Sequence, residues 1–454
     1  MSLNIIILAA GKGTRMKSTM TKVMHKLAGR PLLEHVIDTA QSLMPNSFAV
    51  VCGNEAEQVT PLLENRKVIA VMQPEQKGTG HAVMQAVPVF EHADQVLVLY
   101  GDVPLTQQST LDSLIQCGDS QSCRILTTEL NDPTGYGRIV RNDAGDVICI
   151  TEQKDADQAT LAIKEVNSGI MVLPAQWLRT SLSKLENNNA QGEYYLTDMV
   201  ALAVADGLEI KTVCCVDNAE VAGVNTRQQL AELERHYQQK QANKLMAAGV
   251  TLADPARLDI RGDVTIGRDV TIDVNVILEG KVTIADNVNI GANCIIKDAE
   301  IGSGTEILAN SMIDTATIGT NVSIGPFARL RPGTVLSDQA KIGNFVETKN
   351  ANIGQGSKVN HLSYIGDTDM GENVNIGAGT ITCNYDGANK HRTTIGDNVF
   401  IGSDSQLIAP VTIADGATIG AGTTLRKDAA EGVLTLTKTV QKTVSGWKRP
   451  VKKK

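Results

Sequence analysis

The chain has 454 residues, with 42 Lys and Arg against 50 Asp and Glu, so the net charge is 42 − 50 = −8. That length favours two or more domains, and the acidic balance disfavours general nucleic-acid binding. No apolar run reaches the roughly 18 residues of a membrane span, and the eight cysteines form no C-x-x-C pair, so neither a zinc site nor a disulfide framework is indicated. Hydrophobic residues make up 42 % but aromatic ones only 3 %, and glycine occurs 40 times. A core so short of aromatics must be built from small aliphatics, which predicts something repetitive and thin. Met1-Ser2-Leu3-Asn4 lacks the basic start of a signal peptide, and the expected compartment is the cytoplasm.

Up to about residue 225 short apolar runs alternate with helix-like stretches. The runs at 5–8, 48–52, 68–71 and 96–99 suit central strands, and 31–43 and 80–87 suit helices. This alternation predicts a doubly wound α/β sheet, with ligands at the carboxyl ends of its strands, after Leu8 and Leu99. Thr226-Arg227-Gln228-Gln229 resembles a capping box and opens a helix to about Ala248. The domains expected are therefore 1–225, a helical linker at 226–250, and 251–454.

From Ile260 the pattern changes. Ile260, Ile266, Ile272, Leu278, Ile284, Ile290 and Ile296 are six apart, and the series resumes after single slips at Ile301 and Ile318. A last run is Ile395, Ile401, Leu407, Ile413, Ile419 and Leu425, with glycine after many of these positions. A six-residue period predicts a parallel β-helix, one aliphatic per repeat stacked inward and glycine at the tight corners. Three repeats per coil give about nine coils from Ile260 to Leu425, a prism about 45 Å long at a strand spacing of ~4.8 Å. The step from Ile342 to Ile353 is irregular, and the wider one from Ile376 to Ile395 leaves 382–394 free to protrude. The chain ends in the basic tail Lys448-Arg449-Pro450-Val451-Lys452-Lys453-Lys454.

Leu8-Ala9-Ala10-Gly11-Lys12-Gly13-Thr14-Arg15-Met16 follows the first strand. Gly11 and Gly13 would let backbone N–H groups approach a phosphate chain, and Arg15 adds charge. The spacing fits neither Walker A nor the dinucleotide fingerprint. Taken singly, Lys22 is as readily a surface lysine and Asp102 a strand-end cap. His361, between Val359 and Ile365, reads alone as a structural histidine.

Together these segments closely resemble the sugar-1-phosphate nucleotidyltransferases: the glycine loop, Lys22, Gln73, Gly78-Thr79, Tyr100-Gly101-Asp102, Gly135-Tyr136-Gly137-Arg138-Ile139, Glu152, Asn167-Ser168-Gly169, Glu193-Tyr194-Tyr195-Leu196-Thr197-Asp198 and Gly223-Val224-Asn225. With the hexapeptide half added, the whole chain resembles the bacterial bifunctional N-acetylglucosamine-1-phosphate uridyltransferase/glucosamine-1-phosphate acetyltransferases. The resemblance implies a Rossmann-like nucleotidyltransferase domain followed by a left-handed β-helix. It implies acetyl transfer from acetyl-CoA to glucosamine 1-phosphate, then coupling of the N-acetylglucosamine 1-phosphate to UTP. The product, UDP-N-acetylglucosamine, would serve peptidoglycan and lipopolysaccharide precursor synthesis.

By the same resemblance Leu8, Ala9, Ala10, Gly11 and Lys22 hold the nucleotide, and Gln73 and Gly78 read the uracil. Thr79, Tyr100 and Gly101 complete that pocket, Gly137, Glu152 and Asn167 hold the acetylated sugar, and Asp102 with Asn225 holds Mg²⁺. Arg15 would stabilise departing pyrophosphate. The transfer needs positioning and cations rather than a protein nucleophile. Thr21 departs from the family, where proline commonly precedes the lysine.

In the second half the resemblance implies Arg331, Lys349 and Lys390 on the sugar phosphate, with Tyr364 and Asn375 orienting the sugar. His361 would be the general base, since an imidazole near its ordinary pKa of ~6.5 can take the amine proton. Asn384 would orient the substrate or base, and the Ala378 N–H would stabilise the oxyanion. Acetyl-CoA would lie along Tyr385, Ser403 and Ala421, with Lys438, where arginine is common, near its phosphates. The family assembles as homotrimers with a shared site. Two other readings stand beside this one: a nucleotidyltransferase whose β-helix is only a scaffold, and a sugar-nucleotide sensor without catalysis.

Overall fold

The computed structural model describes residues 2–450 and Lys452, apart from Lys12, Asn54 and Thr439. Lys12 of the glycine loop and Val451, Lys453 and Lys454 of the basic tail thus lie outside the described residues. The chain forms two compact units, Met1–Tyr237 and Gln238–Lys454. The boundary falls inside one helix, Arg227–Ala247. Its start is the expected capping box: Thr226 Oγ1 accepts the Gln229 N–H (3.2 Å), while Gln229 Oε1 accepts from the N–H of Thr226 (3.1 Å) and of Asn225 (2.8 Å).

The first unit is built on strands β1 (Leu3–Ala9), β2 (Ser47–Cys52), β3 (Ile69–Met72), β4 (Gln95–Tyr100), β5 (Cys123–Glu129), β6 (Arg138–Arg141), β7 (Val147–Thr151), β8 (Glu165–Pro174) and β9 (Ile210–Cys215). The sheet order is β9-β5-β8-β4-β1-β2-β3, with the β6–β7 hairpin attached to β8. Pairing is parallel except where β8 runs antiparallel to β4 and β5 and within the hairpin and its attachment. Ile5, Ile6 and Ile7 are wholly buried. Ile5 and Ile7 pack with Leu33 and Ile37 on one face, and Ile6 with Ala82 and Val83 on the other. Such two-sided burial produces continuous apolar runs instead of alternation. The run at 68–71 is the exception: it falls in β3, the sheet edge, where Ile69 and Met72 are exposed. Composition alone does not separate an edge strand from a central one. Between β1 and β4 the strand order reverses, and that switch point is where such sheets bind ligands.

The second unit is a parallel β-helix. One face stacks Ile272, Ile290, Ile307, Ile324, Ile342, Val359, Ile376, Ile401 and Ile419 in register. Successive members lie 17 or 18 residues apart, except for 25 between Ile376 and Ile401. Ile260 to Leu425 spans nine such steps, and strands at Thr251–Leu252 and Leu434–Thr435 extend the stack at each end. Two expectations need amending. The irregular steps do not break the repeat, because Thr348 and Thr382 fill the inward positions, both buried. Thr382 Oγ1 accepts the Gly366 N–H at 2.7 Å, so its hydroxyl is satisfied inside the prism. The protruding loop therefore leaves after Cys383 and returns at Thr393.

Glycine does hold left-handed corners, as at Gly280, Gly304 and Gly356 (φ 71°, 70° and 67°), but it does not hold them alone. Many corners with left-handed backbone are asparagines, such as Asn275, Asn293 and Asn310 (φ 60°, 60° and 63°), whose amides hydrogen-bond coil to coil. Glycine after the inward aliphatic serves close approach: a Cβ on Gly291 would lie 2.7 Å from the Ala309 nitrogen. Aspartates clip successive coils together, Asp286 to the Arg268 N–H, Asp338 to the Thr320 N–H (2.7 Å each) and Asp415 to the Asp397 N–H (2.8 Å).

The Thr320 N–H and hydroxyl hold the Asp338 carboxyl below its ordinary range. A carboxyl depressed on folding stabilises above its unfolded pKa of ~3.9, and the benefit is lost as pH falls through the lower folded value. The melting temperature should therefore drop in acid, and Asp338→Asn, which keeps the acceptor without a titrating charge, should shrink that drop. Thermal melts of both proteins at about pH 6 and about pH 3 test this. An acid loss as large in Asp338→Asn as in the parent would remove Asp338 from the explanation.

Candidate active sites

At the switch point of the first unit lies a cavity of about 450 Å³. Ten of the expected residues line it: Leu8, Ala9, Ala10, Gly11, Lys22, Gln73, Gly78, Thr79, Tyr100 and Asp102. They converge because β1 and β4 end side by side, Leu8 pairing with Tyr100. Gly13, in left-handed conformation, leaves room for Lys22: a Cβ there would come within 2.8 Å of the Lys22 Cβ. Gly101 is packed behind the cavity against Ala9, Val23 and Leu33.

Gln73 is almost fully buried, and its amide nitrogen reaches both the Gly78 carbonyl (3.1 Å) and His81 Nδ1 (3.0 Å). Both amide hydrogens are thereby committed, leaving Oε1 to accept. Lys22 Nζ contacts Asp102 Oδ2 and lies 3.2 Å from Asn225 Oδ1, while Arg15 donates to the same Oδ1 at 2.9 Å. The two oxygens proposed for a metal thus already converge on a cation. Val224 fixes this arrangement by donating to the Asp102 carbonyl (2.9 Å). Gly137, Glu152 and Asn167 form a neighbouring group: Asn167 N–H donates to the Gly137 carbonyl (2.9 Å), and the Thr197 hydroxyl to Glu152 (3.0 Å). Burial pushes the Glu152 carboxyl up, against the opposing pull of Thr197.

On the second unit the coil register places Asn344, His361, Ala378, Ser403 and Ala421 one above another at a single corner. Asn344 pairs with His361, and the carbonyls of Asn344, His361, Ala378 and Ser403 each accept an N–H from the coil above. Three coils separate His361 from Ala421, roughly 14 Å. Leu436 packs over Gly420 and Thr437 bonds to the last coil, so Lys438 follows directly at that end. His361 Nδ1 meets Asn344 Oδ1 at 2.9 Å. An amide oxygen only accepts, so with Asn344 Oδ1 facing it Nδ1 carries the proton and the lone pair lies on Nε2.

Arg331, Lys349 and Lys390 gather at the far corner of the adjoining face. Lys390 beside it, with Arg331, pushes Lys349 toward losing its proton. Arg331 is paired with Glu347 (2.7 Å). Tyr364 begins the strand that crosses this face, and Asn375 the strand leading to Ala378. Tyr385 lies on the protruding loop, exposed, its hydroxyl bonded to the Gly387 carbonyl (2.6 Å). The corner beside the His361 ladder changes character along the prism. After Asn275, Asn293 and Asn310 it carries Phe327, Phe345 and Leu362, all exposed and all left-handed (φ 57°, 54°, 48°). The two phenyl rings stack with centroids 5.3 Å apart. Bulky residues adopt such backbone only at a cost of about 1–3 kcal/mol.

Sequence reasoning missed Asn344 and Asp367, which touch His361 and Asn384 across coils, and Asn350, which touches Asp367; a period of 17 from His361 and Asn384 would have pointed to Asn344 and Asp367. Cysteine chemistry is disfavoured, because burial pushes Cys52 and Cys215 up to about 11 and Cys123 to about 12, and raises Cys383 as well.

Residues 5–249 match the MobA-like NTP transferase domain, 260–351 the GMPPB C-terminal domain, and 392–427 the six-repeat bacterial transferase hexapeptide. Fold and sites define a nucleotidyltransferase joined to a hexapeptide-repeat transferase. Over its full length the chain is similar to the bifunctional protein GlmU of Burkholderia vietnamiensis, 58 % identical across 452 residues and 100 % of both chains. It is likewise similar to those of Pseudomonas entomophila (56 %, 100 % of this chain and 99 % of the relative) and Marinobacter nauticus (54 %, 99 % of each). A solved inositol-1-phosphate CTP transferase of T. maritima aligns with 51 % of this chain and 96 % of its own, at TM-score 0.41 and 15 % identity. The chain belongs to the GlmU family, the bifunctional uridyltransferase/acetyltransferases that make UDP-N-acetylglucosamine.

If Asn344 fixes the tautomer of His361, Asn344→Leu should lower kcat of acetyl transfer between about 10- and 100-fold, within what a general base contributes. KM for acetyl-CoA should stay unchanged. Steady-state kinetics on the purified variant decide it, and an unaltered kcat would mean that the ring is held by something else.

Proposed function

We propose that residues 1–225 carry uridyl transfer at the 450 Å³ cavity and residues 251–454 carry acetyl transfer along the His361 corner, with 226–250 as the link. In the first reaction a phosphate oxygen of N-acetylglucosamine 1-phosphate attacks the α-phosphorus of UTP, and the bond to the leaving pyrophosphate breaks. Gln73 supports the choice of base: its Oε1 can accept the N3–H of uracil, where cytosine presents another acceptor. Lys22 and the backbone of Leu8–Gly11 grip the phosphates, Arg15 meets the departing pyrophosphate, and Gly137, Glu152 and Asn167 seat the acetylated sugar. The Asp102 carboxylate and Asn225 amide oxygen suit Mg²⁺, which takes few protein oxygens and leaves positions for phosphate and water. Their convergence on Lys22 Nζ supports the fit, since a cation is already accommodated between them. Mg²⁺ held there would offset the charge of the triphosphate.

In the second reaction the amine of glucosamine 1-phosphate attacks the acetyl carbonyl carbon and the C–S bond breaks. His361 Nε2 takes the amine proton, which ends on the CoA thiolate. The observation that carries this reading is the single corner ladder Asn344–His361–Ala378–Ser403–Ala421, a straight track suited to a long pantetheine arm. Arg331, Lys349 and Lys390 bind the sugar phosphate, whose dianion relieves their mutual repulsion, and Tyr364 and Asn375 orient the sugar. They stand roughly 16 Å along the backbone from the His361 of the same chain. That separation and the exposed Phe327–Phe345–Leu362 edge support a homotrimer in which neighbours complete each site. No described helix is long and apolar enough to cross a membrane, and we place the enzyme in the cytoplasm.

Asp102→Ala should abolish uridyl transfer and spare acetyl transfer, with His361→Ala doing the reverse. Release of CoA thiol from acetyl-CoA and glucosamine 1-phosphate, without UTP, reads the second activity alone. No release by well-folded protein would reduce the β-helix to a scaffold. Because Lys22 occupies the metal's oxygens, Lys22→Met should bind Mn²⁺ more tightly than the parent when nucleotide is absent. Electron paramagnetic titration of free Mn²⁺ measures this, and equal affinities would argue against competition between the ammonium and the metal.

A further inference from the structure

Asp367 is nearly buried at a corner of the β-helix, 8 % exposed, in left-handed backbone (φ 47°). Both its oxygens are used: Asn350 Nδ2 donates to Oδ1 at 2.6 Å, and Asn384 Nδ2 donates to Oδ2. The register explains the trio, since Asn350, Asp367 and Asn384 follow one another at 17-residue steps up the prism. Lys349 and Lys390 stand close enough to act on the same carboxylate. We infer that Asp367 is a positioning residue for acetyl transfer, which fixes the Asn384 amide so that its Oδ1 faces the acetyl acceptor. This inference rests on the reading that Asn384, Lys349 and Lys390 hold that acceptor.

A carboxylate accepts and cannot donate, so it must receive the NH₂ side of each amide. The orientation of the Asn384 amide therefore follows from chemistry, its NH₂ toward Asp367 and its oxygen away. With Nδ2 committed, Asn384 offers only an acceptor outward, and among the described residues nothing donates to its Oδ1. The partner it suits is an N–H or O–H of the amino sugar. An amine bonded this way keeps its lone pair for the thioester. Burial alone would raise the Asp367 carboxyl, but the two amides and the charges of Lys390 and Lys349 hold it below its ordinary range. The same negative charge lets the two lysines remain neighbours before phosphate arrives.

Substitutions can separate orientation from charge. Glycine tolerates the left-handed corner and removes the carboxylate. Asparagine keeps an oxygen for Asn384 Nδ2 while Asn350 turns over to accept from it. Asp367→Gly should lower kcat for CoA-thiol release about 100-fold, as misplacement of a reacting group does, with KM for acetyl-CoA unchanged. Asp367→Asn should retain kcat within about tenfold of the parent. In an Asn384→Ala background, Asp367→Gly should cost less than about twofold more, because both act through one group. A parental kcat in Asp367→Gly, an equal loss in Asp367→Asn, or a full further loss in the double variant would each overturn the inference. Should Asp367→Gly fail to fold, judged by its thermal melt, Asn384→Asp sets two carboxylates against each other and should lower kcat about 100-fold. Adding Asp367→Asn, whose amide donates to the new carboxylate, should recover part of that loss, and no recovery would overturn the inference. A parental kcat in Asn384→Ala would instead remove the underlying reading of Asn384.

Discussion

The in-register stacking of one coil on the next is the constraint on which the second half of the molecule depends. Each inward Ile, Leu or Val meets its counterpart one coil away, and the backbone N–H and C=O groups are satisfied between coils. A slip of one residue would turn every buried side chain outward. With slip forbidden, residues 17 or 18 apart become fixed neighbours, and chemistry can be assembled from single residues on successive coils. Asn344 under His361, and Asp367 between Asn350 and Asn384, are both products of this rule.

The first half achieves convergence differently. Its sheet brings the ends of β1 and β4 together where the strand order reverses, and loops from distant parts of the chain close around that point. Lys22, Asp102 and Asn225 come from three separate parts of the chain, and they meet only once the sheet is assembled. The arrangement is electrostatically self-consistent without substrate: two basic side chains rest on the two oxygens that a metal would need. The same two side chains, Lys22 and Arg15, are the ones proposed above to meet phosphate.

The sequence made the architecture legible because both halves express it as hydrophobic period. Continuous runs mark strands covered on two sides, and a six-residue period marks the prism. It was blind where a polar residue occupies an apolar post. Thr348 and Thr382 point inward with their hydroxyls satisfied by neighbouring groups, so the repeat looks broken where it is whole, and the loop seems to begin too early. Glycine does more than its frequency suggested: the stack uses it for turning and also for closeness, and shares the turning with asparagine. The residues lining the first unit's cavity were legible as motifs, whereas Asn344 and Asp367 carry no local signal. Their contacts exist only across 17 residues of chain.

The corner ladder also makes the β-helix a measuring device. Its positions are quantised at the strand spacing of ~4.8 Å, so the distance from His361 to the end that holds Lys438 can change only by whole coils. Inserting residues within a coil, as the Asn384–Arg392 excursion does, leaves that distance untouched and alters only what projects from the side. Length and side decoration are therefore independent variables in this scaffold. On the proposed reading, the number of coils sets how long a co-substrate the ladder can run beside, while the excursion adds Lys390 beside the coil residues Arg331 and Lys349 without altering that length.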